Sequence, residues 1–224
     1  MKKILGLAFI SVTNFYSCKE KLPVHPRLLT DNSTIMNNDL SYPAKTETAT
    51  FANGCFWCTE AIFEELDGVI SAISGYTGGK TENPTYKQVC TGQTGHAEAL
   101  QIVYDPSKIS FDELLEVFWK THDPTTLNRQ GADVGTQYRS GIFYHNEEQK
   151  QKAEKYKAEL NKSGAFDKPV VTEVVPFTKF YPAEYYHQQY FENNENSNPY
   201  CRIVIQPKLE KFRKVFKGKL KVNQ

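Results

Sequence analysis

Polar and apolar residues along the chain follow two spacings, which predict strands and helices in alternation. Short segments rich in β-branched and apolar residues predict β-strands at residues 47–51, 69–76, 98–104, 141–144 and 170–175. Apolar residues at helical spacing and helix-start signals predict helices at 57–66, 111–121, 147–162, 183–191 and 207–216. Alternating strands and helices favour a sheet covered by helices over an all-β sandwich.

The first 46 residues have a different pattern. Lys2 and Lys3 precede an apolar run, residues 4–12, which is too short to span a bilayer but suits the apolar region of an export signal. Ser17 and Cys18 follow it, as a small residue and a cysteine do in bacterial lipoprotein signals, so Cys18 is a candidate lipidation site. Secretion without lipidation is the alternative. Residues 19–46 are polar and proline-containing, which predicts a flexible linker.

These patterns predict an export signal at 1–18, a linker at 19–46, a folded domain at 47–206, and a basic helix and tail at 207–224. We expect a protein of the bacterial cell envelope that faces the periplasm or is secreted, and a cytoplasmic one if the signal is absent. Lys+Arg total 27 and Asp+Glu total 26, so nothing favours nucleic acid as a partner. We expect a monomer that meets a membrane only through a lipid anchor.

Residues 54–58, Gly-Cys-Phe-Trp-Cys, lie where a predicted strand turns into a predicted helix. Unpaired amides at a helix N-terminus favour an anion, so we expect Cys55 to be stabilised as a reactive thiolate. Phe56 and Trp57 would then line an apolar site beside the sulfur. Alternatively, Cys55 and Cys58 form a structural pair. A zinc site lacks a second pair of ligands in this sequence, and thioredoxin-type motifs usually carry smaller residues or proline between their cysteines.

Glu98 begins a strand whose alternate residues are apolar. It shares a face with Leu100, Ile102 and Tyr104. A carboxyl group on a buried face has a raised pKa, so Glu98 is a candidate general acid. The alternative is an acid at the exposed end of the strand. Two further segments, 83–86 and 131–140, combine turn residues with hydrogen-bonding side chains and predict ordered loops.

Several motifs occur together in one order along the chain. They are residues 54–57 (Gly-Cys-Phe-Trp), 74–79 (Ser-Gly-Tyr-Thr-Gly-Gly), 83–86 (Asn-Pro-Thr-Tyr), 94–98 (Thr-Gly-His-Ala-Glu), 135–140 (Gly-Thr-Gln-Tyr-Arg-Ser), 181–184 (Tyr-Pro-Ala-Glu) and 187–190 (His-Gln-Gln-Tyr). In these motifs the chain resembles the type A peptide methionine-S-sulfoxide reductases, over residues 48–201. The resemblance implies an α+β fold, a two-layer sandwich around a mixed β-sheet of ferredoxin-like type, with the catalytic domain at 47–206.

The resemblance also implies the chemistry. Cys55 would be the nucleophile that attacks the sulfoxide sulfur, and Glu98 would protonate the sulfoxide oxygen. The reaction would release methionine, from the S epimer of free or protein-bound methionine sulfoxide, and leave Cys55 as a sulfenic acid. A second thiol would condense with it to a disulfide, which thioredoxin or another dithiol would reduce. No bound cofactor and no metal are implied.

The resemblance assigns the remaining site residues as well. Phe56 and Trp57 would hold the methyl group of the substrate. Tyr86 and Tyr138 would donate hydrogen bonds to the sulfoxide oxygen, and Asp133 would help to position and polarise the site.

The resolving thiol is open between two cysteines. Cys201, in Asn-Pro-Tyr-Cys, matches the family's segment that carries a recycling cysteine, and we expect it on a mobile tail; Cys58 is the nearer alternative. The family's glycine-rich tail is replaced by a basic helix. Cys90 is expected to be structural. The rival function is a thiol–disulfide relay that uses Cys55 and Cys58 and gives Glu98 no task.

Overall fold

The computed structural model describes residues 45–222. The strands are β1 (Glu47–Asn53), β2 (Val69–Thr77), β3 (Ala97–Tyr104), β4 (Arg129–Gln130), β5 (Asp133–Val134), β6 (Ser140–Tyr144), β7 (Glu173–Pro176) and β8 (Phe180–Pro182). The helices are α1 (Phe56–Phe63), α2 (Tyr86–Val89), α3 (Phe111–Thr121), α4 (Glu147–Ser163), α5 (Tyr190–Asn194) and α6 (Gln206–Val215). Turns of 3-10 helix occupy Thr136–Tyr138, Tyr185–His187 and Lys217–Lys219, and a π-helical turn occupies Cys201–Ile205.

A six-stranded mixed sheet forms the centre of this fold, in the order β7-β6-β1-β3-β2-β8. The pairs are antiparallel except β6 with β7, which is parallel. With α1 between β1 and β2 and α3 between β3 and β6, the central strands follow the β-α-β-β-α-β order of ferredoxin-like folds. The predicted fold class is confirmed.

The helices cover one face of the sheet. Phe51 of β1, Leu100 of β3, Ile62 of α1, Phe118 of α3 and Ala153 of α4 belong to one buried cluster. The capping box predicted at the start of α3 is present, with Ser110 and Glu113 exchanging side-chain and backbone hydrogen bonds. Burying this apolar face is what forms the two layers.

The predicted helix at 183–191 is wrong. The segment follows β8 as a 3-10 turn and then a short helix, with Gln189 between them in the left-handed region at φ 50°. The amide side chain of Gln188 accepts a hydrogen bond from the Ser74 amide at 3.0 Å and donates one to the Ser74 carbonyl at 3.0 Å. This docking onto β2 competes with helical hydrogen bonds and bends the chain.

One further expectation needs correction. The predicted strand at 170–175 begins only at Glu173, because the Val170 amide bonds to the side chain of Asn161 and the Val171 amide to the Pro124 carbonyl. The segment before Cys201 contains α5, and the Asn198 side chain donates a hydrogen bond to the Tyr190 hydroxyl at 2.8 Å, so the expected mobility stays a prediction. The signal, Cys18 and all but the last two linker residues lie outside the described residues. Within 45–222, no helix has both the length and the apolar character needed to cross a membrane.

Candidate active site

Cys55 occupies the N-cap position of α1, at the turn that follows β1. Gly54 makes this turn with φ at 99°, and a Cβ there would lie 2.7 Å from the Cβ and Cγ of Gln130. Only glycine fits both the backbone angle and the space. The Cys55 carbonyl accepts the Thr59 amide at 3.3 Å and starts the helix. The predicted strand-to-helix position of Cys55 is confirmed.

Glu98 lies beside this turn because of the strand register. Phe51 of β1 pairs with Leu100 of β3 in an antiparallel ladder, so Glu98, two residues before Leu100, meets the end of β1. Its carboxylate accepts a hydrogen bond from the Phe56 amide at 3.1 Å. Burial raises the pKa of Glu98 to about 8, against the lowering effect of that amide. The predicted burial and raised pKa are confirmed, and the carboxyl is predominantly protonated at neutral pH.

Tyr86 and Tyr138 lie near Glu98, one at the start of α2 and the other in a 3-10 turn. Tyr86 begins α2, where its amide donates to Glu184 at 2.9 Å, and Tyr138 ends the 3-10 turn at Thr136–Tyr138. Burial raises the pKa of both phenols, and so does the nearby charge of Glu98. Both hydroxyls therefore stay protonated and are able to donate hydrogen bonds. The Cys90 thiol is exposed and hydrogen-bonds with Tyr86.

Phe56 and Trp57 form an aromatic cage with residues from the C-terminal part of the chain. Trp57 stacks on Tyr190 with 3.7 Å between ring centroids, and its indole nitrogen donates to Nδ1 of His187 at 3.2 Å. Phe56 stacks on Tyr86 at 6.3 Å. Burial lowers the pKa of His187 to about 4, so the imidazole is neutral. Since Nδ1 accepts from Trp57, the proton of His187 is on Nε2.

Asp133 reaches the site through Tyr200, a residue that the sequence reasoning missed. The Tyr200 hydroxyl donates to the Asp133 carboxylate at 2.9 Å. Burial raises the pKa of Asp133, and this hydrogen bond opposes the rise. Tyr200 also hydrogen-bonds with the thiols of Cys55 and Cys58. The sequence offered one signal for Tyr200, its position directly before Cys201. The sequence did not show that Tyr200 lies beside Asp133.

The expected thiolate at Cys55 is wrong for the resting site. Burial raises the pKa of Cys55 well above its usual value, and a hydrogen bond with Cys58 raises it further. That same hydrogen bond lowers the pKa of Cys58. The titrations of the two thiols are therefore coupled, and the thiolate is favoured on Cys58 over Cys55. Cys201 is fully buried, and burial raises its pKa, with a further contribution from the charge of Cys58.

The site therefore combines a nucleophilic thiol, a protonated acid, two phenolic donors and an aromatic cage. Among residues 45–222, no cluster of His, Cys, Asp and Glu is suited to hold a metal ion. This set of groups could bind a small polar oxide by its oxygen and its apolar substituent at the same time, with a sulfur nucleophile alongside.

Comparison with known proteins identifies the family. The family model for peptide methionine sulfoxide reductase matches residues 47–220. The chain belongs to the peptide methionine sulfoxide reductase family. Like the other members of this family, the enzyme is an oxidoreductase that reduces methionine sulfoxide.

Relatives of known name agree with this assignment. The chain is 58% identical over 175 residues to peptide methionine sulfoxide reductase MsrA 1 of Rhodopirellula baltica, covering 78% of this chain and 90% of that protein. It is 55% identical over 178 residues to the MsrA of Saccharolobus solfataricus, covering 80% of this chain and 99% of that protein.

Solved structures of this reductase family share the fold. Mxr1 of Saccharomyces cerevisiae in reduced form has a TM-score of 0.65 at 39% identity, over 70% of this chain and 90% of that one. Methionine sulfoxide reductase A of Corynebacterium diphtheriae has a TM-score of 0.63 at 39% identity, over 70% of this chain and 78% of that one.

Proposed function

We propose that the enzyme reduces the S epimer of methionine sulfoxide, free or in proteins, through a sulfenic acid on Cys55. The observation that carries this proposal is the pairing of a buried nucleophile with a buried acid. Glu98 holds a proton at neutral pH and lies at the same helix N-terminus as Cys55. Because the oxygen of a sulfoxide leaves sulfur only after protonation, a thiol without such an acid would react slowly.

The first step transfers one oxygen atom. Cys55 sulfur attacks the sulfoxide sulfur while Glu98 protonates the oxygen, and the thiol proton of Cys55 passes to Cys58 in its thiolate form, which the hydrogen bond between the two sulfurs favours. This attack forms a transient sulfur–sulfur bond. That bond and the sulfur–oxygen bond of the substrate break as the oxygen passes to Cys55, which becomes a sulfenic acid, and methionine leaves. Tyr86 and Tyr138 donate hydrogen bonds to the oxygen, and the aromatic cage of Phe56 and Trp57 holds the methyl group.

The second step forms a disulfide. The sulfenic acid condenses with a thiol and releases water. We propose Cys58 as its first partner because it is already hydrogen-bonded with Cys55, whereas Cys201 lies in the π-helical turn and interacts with Cys58 only through charge. Cys201 lies within electrostatic reach of Cys58, which suits a second exchange to a Cys58–Cys201 disulfide. A thioredoxin-like dithiol then reduces the enzyme, without a bound cofactor.

Single epimers of methyl p-tolyl sulfoxide with dithiothreitol test the activity. We expect turnover of the S epimer alone and none by Cys55→Ser. Turnover of the R epimer instead would contradict the assigned stereochemistry. Turnover of neither, with intact thiol–disulfide exchange, would favour the relay function, which the contact between Cys55 and Cys58 also suits.

Disulfide mapping after one turnover without reductant tests the resolving step. We expect Cys55–Cys58 in the Cys201→Ser variant, with the first turnover retained and recycling by thioredoxin slowed. The Cys58→Ser variant should accumulate sulfenic acid that a dimedone probe captures. Efficient formation of Cys55–Cys201 in Cys58→Ser would show that Cys201 resolves directly, as the family match suggests.

The proposed location is the cell envelope, through a lipid on Cys18. The support is the sequence alone: two lysines, an apolar run and a small residue before the cysteine. We expect the wild type in the membrane fraction and Cys18→Ser outside it. Equal partitioning of the two proteins would contradict lipidation and leave the catalytic proposal intact.

A further inference from the structure

A groove of about 630 Å³ lies between the end of α3, the β4–β5 hairpin and α6. We call it the basic groove. Three of the residues that line it are lysines, and three others form an apolar wall: Lys120, Lys208, Lys211, Phe212, Val215 and Phe216. Val215 is 56% exposed, so part of the apolar wall faces solvent. A concave surface with apolar walls and like charges is typical of a binding site and not of a merely solvated face.

The basic groove adjoins the active site. Gln130 lines it and also contacts Gly54, the residue before Cys55. Lys208 lies close enough to the site for its charge to lower the pKa of Cys58 and of Asp133. A ligand bound at Cys55 through one residue is therefore positioned to extend into the groove.

Positive charges outnumber negative charges among the residues that line the basic groove. Among residues 45–222, Lys120 pairs with Glu116 at 2.7 Å, while neither Lys208 nor Lys211 forms an ion pair. The groove also contains Asp123, whose carboxylate bonds to Thr125, and His122. Burial lowers the pKa of His122 to about 4, so this imidazole adds no charge. Lys208 and Lys211 are available to an anionic ligand.

We propose that the basic groove binds acidic side chains of the polypeptide that carries the methionine sulfoxide, close to it on the chain. An extended peptide advances about 3.3–3.6 Å per residue. Each residue along the substrate therefore lies about that much further from the catalytic site than the one before it. Glutamate fits both parts of the groove, because its methylene groups match the apolar wall and its carboxylate matches the lysines. The inference rests on the proposed function and makes the enzyme selective among oxidised proteins.

Two synthetic peptides test this inference, one with glutamates on both sides of a single methionine sulfoxide and one with glutamines. We expect kcat/KM about 3–10-fold higher for the glutamate peptide at low salt, as one or two partly exposed ion pairs would give, and a smaller difference at high salt. The double variant Lys120→Gln/Lys211→Gln should lose the preference. Lys208 stays unchanged because its charge reaches Cys58.

A matched control removes the same charge outside the groove. Lys214→Gln/Lys217→Gln alters two exposed lysines that do not line it, and this variant should keep the preference. Equal kcat/KM for the two peptides in the wild type, or equal losses in both variants, would overturn the inference. A rise only in KM for thioredoxin in Lys120→Gln/Lys211→Gln would assign the groove to the reductant instead, and also overturn it.

Acetyl-methionine sulfoxide separates this inference from the proposed function. It has no acidic neighbours, so all these variants should reduce it at the wild-type rate. Turnover of this compound without discrimination between the peptides would remove the groove's role and leave the reductase activity. No turnover of it by the wild type would contradict the proposed function itself.

Discussion

The hydroxyl of Tyr200 donates a hydrogen bond to the carboxylate of Asp133 at 2.9 Å, across 67 residues of chain. Tyr200 also contacts the Cys55 thiol and precedes Cys201 directly. One side chain therefore joins the β4–β5 hairpin, the nucleophile and the segment of the second buried cysteine. Any movement that brings Cys201 toward the catalytic thiols must displace Tyr200 from this position.

Tyr200→Phe should weaken the thiol site without removing the aromatic ring. The Tyr200 hydrogen bond lowers the pKa of both Cys55 and Cys58, so its loss should shift thiol alkylation by iodoacetamide to higher pH. We expect kcat/KM for sulfoxide reduction to fall about tenfold, the scale of one hydrogen bond to a charged group. An unchanged alkylation profile would mean that this hydroxyl does not affect the thiols.

Glu98→Gln should keep the shape of the site and remove its acid. We expect kcat to fall by about 2–4 orders of magnitude, the range typical of general acid catalysis, with a smaller change in KM. Single-turnover kinetics measure the chemical step directly. Near-wild-type rates in Glu98→Gln would show that Tyr86 or Tyr138, and not Glu98, donates the proton.

The pH dependence should report the same carboxyl. Burial raises the pKa of Glu98 to about 8, so the acid form is present below this pH and is lost above it. We expect kcat/KM to fall by about tenfold per pH unit above this value. The Glu98→Gln variant provides the control, because its profile should lack this descending limb. A limb that persists in the variant would belong to another group.

His187→Leu should disturb substrate binding more than chemistry. It removes the acceptor for the Trp57 indole and should raise KM by about 3–10-fold, the scale of one hydrogen bond, with a smaller loss in kcat. His187→Asn keeps an acceptor close to the position of Nδ1 and should recover most of the affinity. If the two variants bind the substrate equally well, the hydrogen bond does not position the indole.

Local patterns in the sequence were sufficient for several parts of this protein. The alternation at 98–104 predicted that Glu98 lies on a buried face, because side chains alternate between the faces of any strand. Ser110 and Glu113 marked the start of α3, since a capping box acts over four neighbouring residues. Gly54 and Cys55 marked the turn into α1 for the same reason.

Long-range contacts were not available from these patterns. The helix predicted at 183–191 has helical residues, but the Gln188 side chain bonds to Ser74, more than a hundred residues earlier, and the backbone follows that contact. The positions of Tyr200 beside Asp133 and of His187 beside Trp57 have the same origin. Helix propensity depends on residues that are close along the chain. These contacts form only after the C-terminal segment packs on α1.

The sequence by itself thus determined which residues can carry out thiol chemistry. Only the tertiary structure decided the pKa values of those residues. The helix N-terminus alone predicts a thiolate at Cys55, but burial in the assembled site and the hydrogen bond with Cys58 raise the pKa of that thiol. The charge of a buried group depends on the solvent removed around it and on the groups placed against it. Both are properties of the packed chain.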